Sequence, residues 1–268
     1  MTAFAEGPVV KAHAYGNDFL LVEGRPPAEA AALARRLCDR HRGVGADGVI
    51  FFRRTAAGAS MDLLNADGSY SEVSGNGVRC LGALLARHSP ERLHFVIETD
   101  AGPKTLDVLG LRASPARTYF RAAMGQPEDV ARVELAGREV CTVTTLRVGN
   151  PQCVMLVSAA ELTEANLQRF GPFLTAHPHF QAGTNVELAH VESPGRVRIL
   201  IWERGVGPTE ASGTGACAAA VAAAAHGGAA REVDVVSPGG TQRVEWRDDG
   251  LYLTGWAELV CEVQWLAG

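Results

Sequence analysis

Two segments of this chain, Ser74-Gly75-Asn76-Gly77 and Ser212-Gly213-Thr214-Gly215, put a hydroxyl residue ahead of a Gly-x-Gly turn. Each turn runs into an apolar stretch rich in Ala or Leu that reads as a helix. A helix start presents unpaired N–H groups and the positive end of the dipole, a ready site for a carboxylate. Two such starts facing each other across a cleft would hold one small anion between opposed side chains. That arrangement suits chemistry in which a proton leaves one face of a carbon and returns on the other.

Other polar residues repeat in step with the serines. Asn17 precedes Ser74 by 57 residues and Asn150 precedes Ser212 by 62. Asp47 lies 27 residues before Ser74, and Asn185 lies 27 before Ser212. Matched order in two halves of similar length predicts an internal duplication with the site at the interface of the halves.

Composition excludes several classes of function. A net charge of −5 and a pI near 5.9 give no electrostatic reason to expect a nucleic acid. No run approaches the roughly 20 apolar residues of a membrane span. The first residues lack a basic segment followed by an apolar core, so a cytoplasmic location is expected. Six scattered cysteines with no Cys-x-x-Cys pair read as buried small hydrophobes, and no metal site is expected. His177 and His179, in an apparent loop, read as structural. Only Lys11 and Lys104 occur, neither in the setting of a Schiff-base lysine. Both Gly-x-Gly turns lack a third glycine, with Cys80 and Ala218 in its place, so a nucleotide site is not supported. Chemistry without an organic cofactor is the expectation.

The elements that must position these residues follow an α+β plan built twice. Strand, turn and strand are predicted over 9–22 around Gly16-Asn17, a helix over 28–40, and strands over 49–53 and 61–64 before the 65–68 turn. The first site helix is predicted over 76–87, stopped by Ser89-Pro90, with strands over 94–99 and 105–109. Residues 112–117, short and polar with a proline, read as the linker. The second half reads as strands over 118–124, 140–148 and 153–157, a helix over 163–170 and a strand over 197–201. The second site helix is predicted over 214–225, and four strands follow: 233–237, 244–246, 251–255 and 259–265. Few long helices among many strands predict two sheet-based lobes, each wrapping a central helix. The N-terminal lobe is expected over 1–115, with the last strand, 257–268, returning to it, and the C-terminal lobe over 116–256.

The runs His41-Arg42-Gly43-Val44-Gly45-Ala46-Asp47-Gly48, Asn65-Ala66-Asp67-Gly68-Ser69 and Glu203-Arg204-Gly205-Val206-Gly207-Pro208-Thr209 resemble signature segments of the diaminopimelate epimerase family. So do Gly16-Asn17-Asp18-Phe19, Gly149-Asn150-Pro151 and both Gly-x-Gly segments. The resemblance spans about residues 10–265. It implies a cofactor-free epimerase that converts L,L- to meso-diaminopimelate for lysine and peptidoglycan precursor synthesis. It also implies a homodimer of two-lobed subunits, each lobe a barrel-like sheet curled around one helix, with the substrate in the cleft between the lobes. By the family pattern Asn17, Asn65, Asn150, Asn185, Glu203 and Arg204 contact the diamino dicarboxylic acid. The same resemblance implies that the backbone at Gly75-Asn76 and Gly213-Thr214 holds the carboxylate of the reacting carbon.

The chain departs from that pattern at the reacting pair. The family usually places cysteines where Ser74 and Ser212 stand, and a His where Gln152 follows Asn150-Pro151. Cys80 and Cys217 match helix-interior positions. A serine is a far weaker acid than a thiol and needs an adjacent base, for which Glu203 is the candidate. Four readings follow: an epimerase using its serine pair, an isomerase of another amino acid, a silent amino-acid binder whose serines only cap helices, or a chain substituted Cys-to-Ser that traps substrate.

Overall fold

The computed structural model describes residues 8–111, 117–137 and 140–266. The chain divides into two compact units, one of residues up to Ala122 together with those from Gly255 onward, the other Ala123–Thr254. Apart from Arg117, the expected linker at 112–117 lies outside the described residues.

In the first unit β1 (Val9–Ala14) and β2 (Asn17–Glu23) form a hairpin around Tyr15-Gly16, both at positive φ. Helix α1 (Ala30–Cys38) carries the chain to β3 (Gly48–Arg54), which runs parallel to β2 with Phe19 opposite Gly48. Strand β4 (Gly58–Asn65) returns along β3, and the short β5 (Tyr70–Ser71) along β4. Helix α2 (Gly75–His88) then leads to β6 (His94–Glu98), parallel to β4. Antiparallel β7 (Lys104–Leu111) and β8 (Arg117–Gly125) complete the run. Parallel neighbours cannot be joined by a tight turn, so each parallel pair needs a crossover, and α1 and α2 supply the two.

The second unit repeats this order. Strands β9 (Glu128–Leu135), β10 (Cys141–Val148) and β11 (Asn150–Leu156) are antiparallel neighbours. Helix α3 (Glu164–Thr175) crosses to β12 (Asn185–Ser193), parallel to β11, and β13 (Arg196–Glu203) returns along β12. The short β14 (Gly207–Thr209) lies on β13, and α4 (Gly213–His226) crosses to β15 (Glu232–Ser237), parallel to β13. Strands β16 (Gly240–Arg247) and β17 (Gly250–Val263) follow. The end of β17 pairs with β1, Val9 opposite Val263, and β17 also pairs with β8. The ladder of the first unit therefore closes on itself. Hairpin, crossover helix, hairpin, short strand and crossover helix recur in the same sequence, as the internal duplication predicts.

The crossover helices are of two kinds. Along α4 the residues Ala216–Ala223 are all buried, inside strands β10–β13 and β15–β17. A helix apolar on every side must be enclosed, and its alanines let the surrounding strands close tightly. Helix α2 is buried continuously from Asn76 to Leu85. Helices α1 and α3 instead bury one face each, α1 against β3 and β4, α3 against β12 and β13.

Beyond the short β5 and β14, which were not predicted, three longer strands differ from the sequence expectations. Strand β9 falls where none was predicted, because most of its side chains are exposed and show no apolar alternation. Strand β12 was also missed. It is buried on both faces, Val186 and Leu188 toward α3 and Ala189 toward α4, so it lacks a period of two. The last two predicted strands are one, β17. Gly255 lies within it, where a Cβ would come within 3.2 Å of the Tyr15 ring, so the glycine marks a close approach and not a break.

Candidate active site: two serine-capped helix starts

Both serines are the N-caps of the buried helices. Ser74 and Ser212 share an extended backbone, with φ −130° and ψ 122° at Ser74, and φ −134° and ψ 132° at Ser212. Ser74 Oγ accepts the Gly77 N–H at 3.1 Å, and Ser212 Oγ accepts the Gly215 N–H at 3.2 Å. The Gly-x-Gly segments are thus the first helical turns themselves rather than turns ahead of them. A cap bond uses the serine oxygen as acceptor and leaves the hydroxyl proton available to another partner. At the first turn of α2, a Cβ on Gly75 would meet nothing within 4 Å. The backbone there is open on that side.

In the first unit the polar residues form one chain of contacts. Buried Arg79, one turn into α2, donates to Asn76 Oδ1, and Asn76 Nδ2 donates to Asn17 Oδ1 at 3.1 Å. Asn17 Nδ2 donates in turn to Asp47 Oδ2 at 2.8 Å. Arg40 bridges Asp47 and Asp18, at 2.7 and 2.9 Å, and Lys11 Nζ lies 3.1 Å from Asp18. Burial alone would raise the Asp18 carboxyl, but the hydrogen bonds from Arg40 and Lys11 outweigh it and hold its pKa below the usual value. Asn17 and Asn76 are thus brought together. Asn65 is not part of this chain: it is exposed and donates to Ser69 Oγ at 3.0 Å, inside its own turn.

In the second unit Asn185 Oδ1 accepts the Arg204 N–H at 2.9 Å, which ties the end of β13 to the start of β12. The Arg204 guanidinium donates to the Ala182 carbonyl at 2.6 Å. Gln152, fully buried on β11, donates to Asn150 Oδ1 at 2.5 Å and stands opposite Asn185 in the parallel register. Ser212 is buried, and its Oγ lies 3.4 Å from Thr214 Oγ1.

One carboxyl here escaped the sequence reading. Glu187, two residues beyond Asn185 and on the same face of β12, has no exposed surface. Neither carboxyl oxygen has a hydrogen-bond partner among the described residues. Burial, and after it the negative charge of Glu203, pushes its pKa well above the usual carboxylate range. The available signal was an acid inside the apolar run Asn185-Val186-Glu187-Leu188-Ala189, in step with the Asn185 landmark.

The cysteines do not compete with the serines. Burial pushes the thiols of Cys80 and Cys153 up, away from reactivity. Among the described residues no group of His, Cys, Asp and Glu could hold a metal ion. His177 contacts the Ala136 carbonyl at 3.0 Å.

The fold is shared with solved structures of low sequence identity. A probable proline racemase from Agrobacterium radiobacter K84 matches with a TM-score of 0.73 at 15% identity, over 97% of this chain and 93% of its own. A hydroxyproline epimerase from Agrobacterium vitis matches at 0.70 and 15%, over 96% and 90%. This two-lobed α+β arrangement defines the fold class of the chain. Within that class the chain belongs to the diaminopimelate epimerase family, whose model matches residues 9–129 and 144–260. A diaminopimelate epimerase from Desulforudis audaxviator is 42% identical, over 96% of this chain and 98% of its own length.

Proposed function

We propose that this epimerase converts L,L-diaminopimelate to the meso form by moving the α-proton between Ser74 and Ser212, on opposite faces of one α-carbon. The observation that carries the reading is the equivalence of the two serines, each capping the buried helix of a unit with the same order of hairpins and crossovers. Negative charge that develops on the substrate carboxylate during proton removal would be met by N–H groups at Gly75-Asn76 and Gly213-Thr214. Asn17, Asn65, Asn150, Asn185, Glu203 and Arg204 are assigned to the rest of the diamino dicarboxylic acid, where amide, carboxylate and guanidinium groups match its charges.

A serine pair must work against its own acidity. Each unit of pKa mismatch is worth about 1.4 kcal/mol. A helix start contributes only about 0.3–2 kcal/mol toward a gap of several units. A carboxylate must therefore assist, and Glu203 is the proposed base. The proposed assembly is a homodimer in the cytoplasm. No helix among the described residues is long and apolar enough to cross a membrane.

A second reading is favoured by the cap bonds themselves: a serine whose oxygen already accepts a helix N–H fulfils a structural role with no chemistry. Incubation with L,L-diaminopimelate in D₂O separates the two. Deuterium entering the α-position with formation of the meso isomer supports the epimerase. Saturable binding without exchange selects the silent binder.

A further inference from the structure

We propose that Glu187 is the proton store of the second helix start: its enclosed carboxyl, set beside Ser212 across the space left by Gly215, loads and unloads the Ser212 hydroxyl. The inference rests on the epimerase reading above and assigns a positioning residue to its second serine.

Geometry carries it. A Cβ on Gly215 would lie 2.6 Å from Glu187 Oε1 and 3.2 Å from Ser212 Cβ, so the carboxyl and the serine flank one gap that only glycine leaves open. The Gly215 N–H is the donor that caps Ser212 Oγ, so the carboxyl packs against the residue that fixes the serine oxygen. A buried carboxyl with both oxygens unpartnered is costly as a structural element and points to a function. Nothing comparable stands at the matching position of the first unit, where Val49 lies two residues beyond Asp47.

The titratable groups around it fit a store. Burial disfavours its charge, and after it so does Glu203 on the neighbouring β13. The Cys153 thiol, on the adjoining β11, interacts with the same carboxyl and is itself pushed up. For Ser212, Glu187 takes the assisting role in place of Glu203. A carboxylate of raised pKa is also a better match for a serine proton than an ordinary one.

The proton balance is simple. When Ser212 protonates the α-carbon, its O–H bond breaks and a C–H bond forms. Neutral Glu187 then returns a proton to the serine oxygen and is left as the carboxylate. In the opposite direction the carboxylate takes the proton of Ser212 as the serine removes the α-hydrogen.

The test compares wild-type protein with E187Q and E187D, measuring α-deuteration of L,L-diaminopimelate across pH. E187Q should lower kcat by about 100-fold with KM little changed, the scale of one lost acid–base step. It should also lose the alkaline or acid limb that Glu187 imposes on the wild-type profile, and E187D should recover part of both. A wild-type rate and profile in E187Q would overturn the proposal. A second readout stays valid if wild-type protein shows no exchange and the epimerase reading itself fails. The folded-state pKa of Glu187 is raised, so its protonation favours folding below the unfolded value, and that contribution is lost as pH rises from about 4.3. The melting temperature of E187Q relative to wild type should therefore climb with pH above that value. A difference independent of pH would mean that Glu187 holds no proton and would end the proposal.

Discussion

The helix start of the first unit is backed by Arg79 and that of the second by Glu187, although caps, crossovers and strand order are the same in both. Arg79 stands five residues past Ser74, where the second unit has Cys217 five past Ser212. Glu187 stands two past Asn185, where the first unit has Val49. The duplicated scaffold keeps the geometry of the serine and lets the buried ionisable group behind it differ. In the first unit that group feeds a connected chain of hydrogen bonds, Arg79 to Asn76 to Asn17 to Asp47. In the second it is an unpartnered carboxyl. A connected polar chain fixes side chains in place, whereas an isolated carboxyl remains ready to change its protonation.

The largest effect should come from the reacting pair itself. The double variant S74C/S212C should raise α-hydrogen exchange by about 100-fold or more, because a thiol titrates near pH 8.5 and gains further from a helix start. An unchanged rate would remove both serines from the proton path.

The two buried groups should then separate in stability. R79M removes the buried donor to Asn76 Oδ1 and should cost about 1–3 kcal/mol in urea unfolding. It should also weaken substrate binding through Asn17. The cysteine at the matching place, changed by C217A, should show no such loss of binding. Equal effects on binding would erase the contrast between the units.

The glycines give a finer test. G215A drives a Cβ into Glu187 and should cost about 1–3 kcal/mol by overpacking. G75A meets nothing and should stay within about 0.5 kcal/mol of wild type in the same unfolding assay.

The smallest expected effect concerns acid pH. The Asp18 carboxyl is held low by Arg40 and Lys11, so its contribution is present above the unfolded value, about 3.9, and is lost as pH falls through the lower folded value. D18N should flatten the acid side of the melting curve, the reverse of the trend expected for E187Q. Thermal melts from pH 2 to 6 read it directly.

The serine caps and the two enclosed helices were legible in the sequence because cap chemistry and runs of strong helix formers are local signals. The hidden parts depended on tertiary context. Strand β12 is covered on both faces and so carries no alternation, and Glu187 inside it reads from sequence as an ordinary surface acid. Arg79 reads as a solvated helix residue until α2 is known to be enclosed on that side as well. Asn65 shows the opposite limit, since its motif matched the family while its side chain is engaged by its own turn.

The central claim is that two equivalent serine caps move one α-proton. Stereospecific α-deuteration of L,L-diaminopimelate in D₂O, measured for wild type, S74A and S212A, tests it most directly. Each alanine variant should lose formation of the meso isomer while staying folded, since a lost cap costs only about 1 kcal/mol. Wild-type rates in both variants would contradict the account.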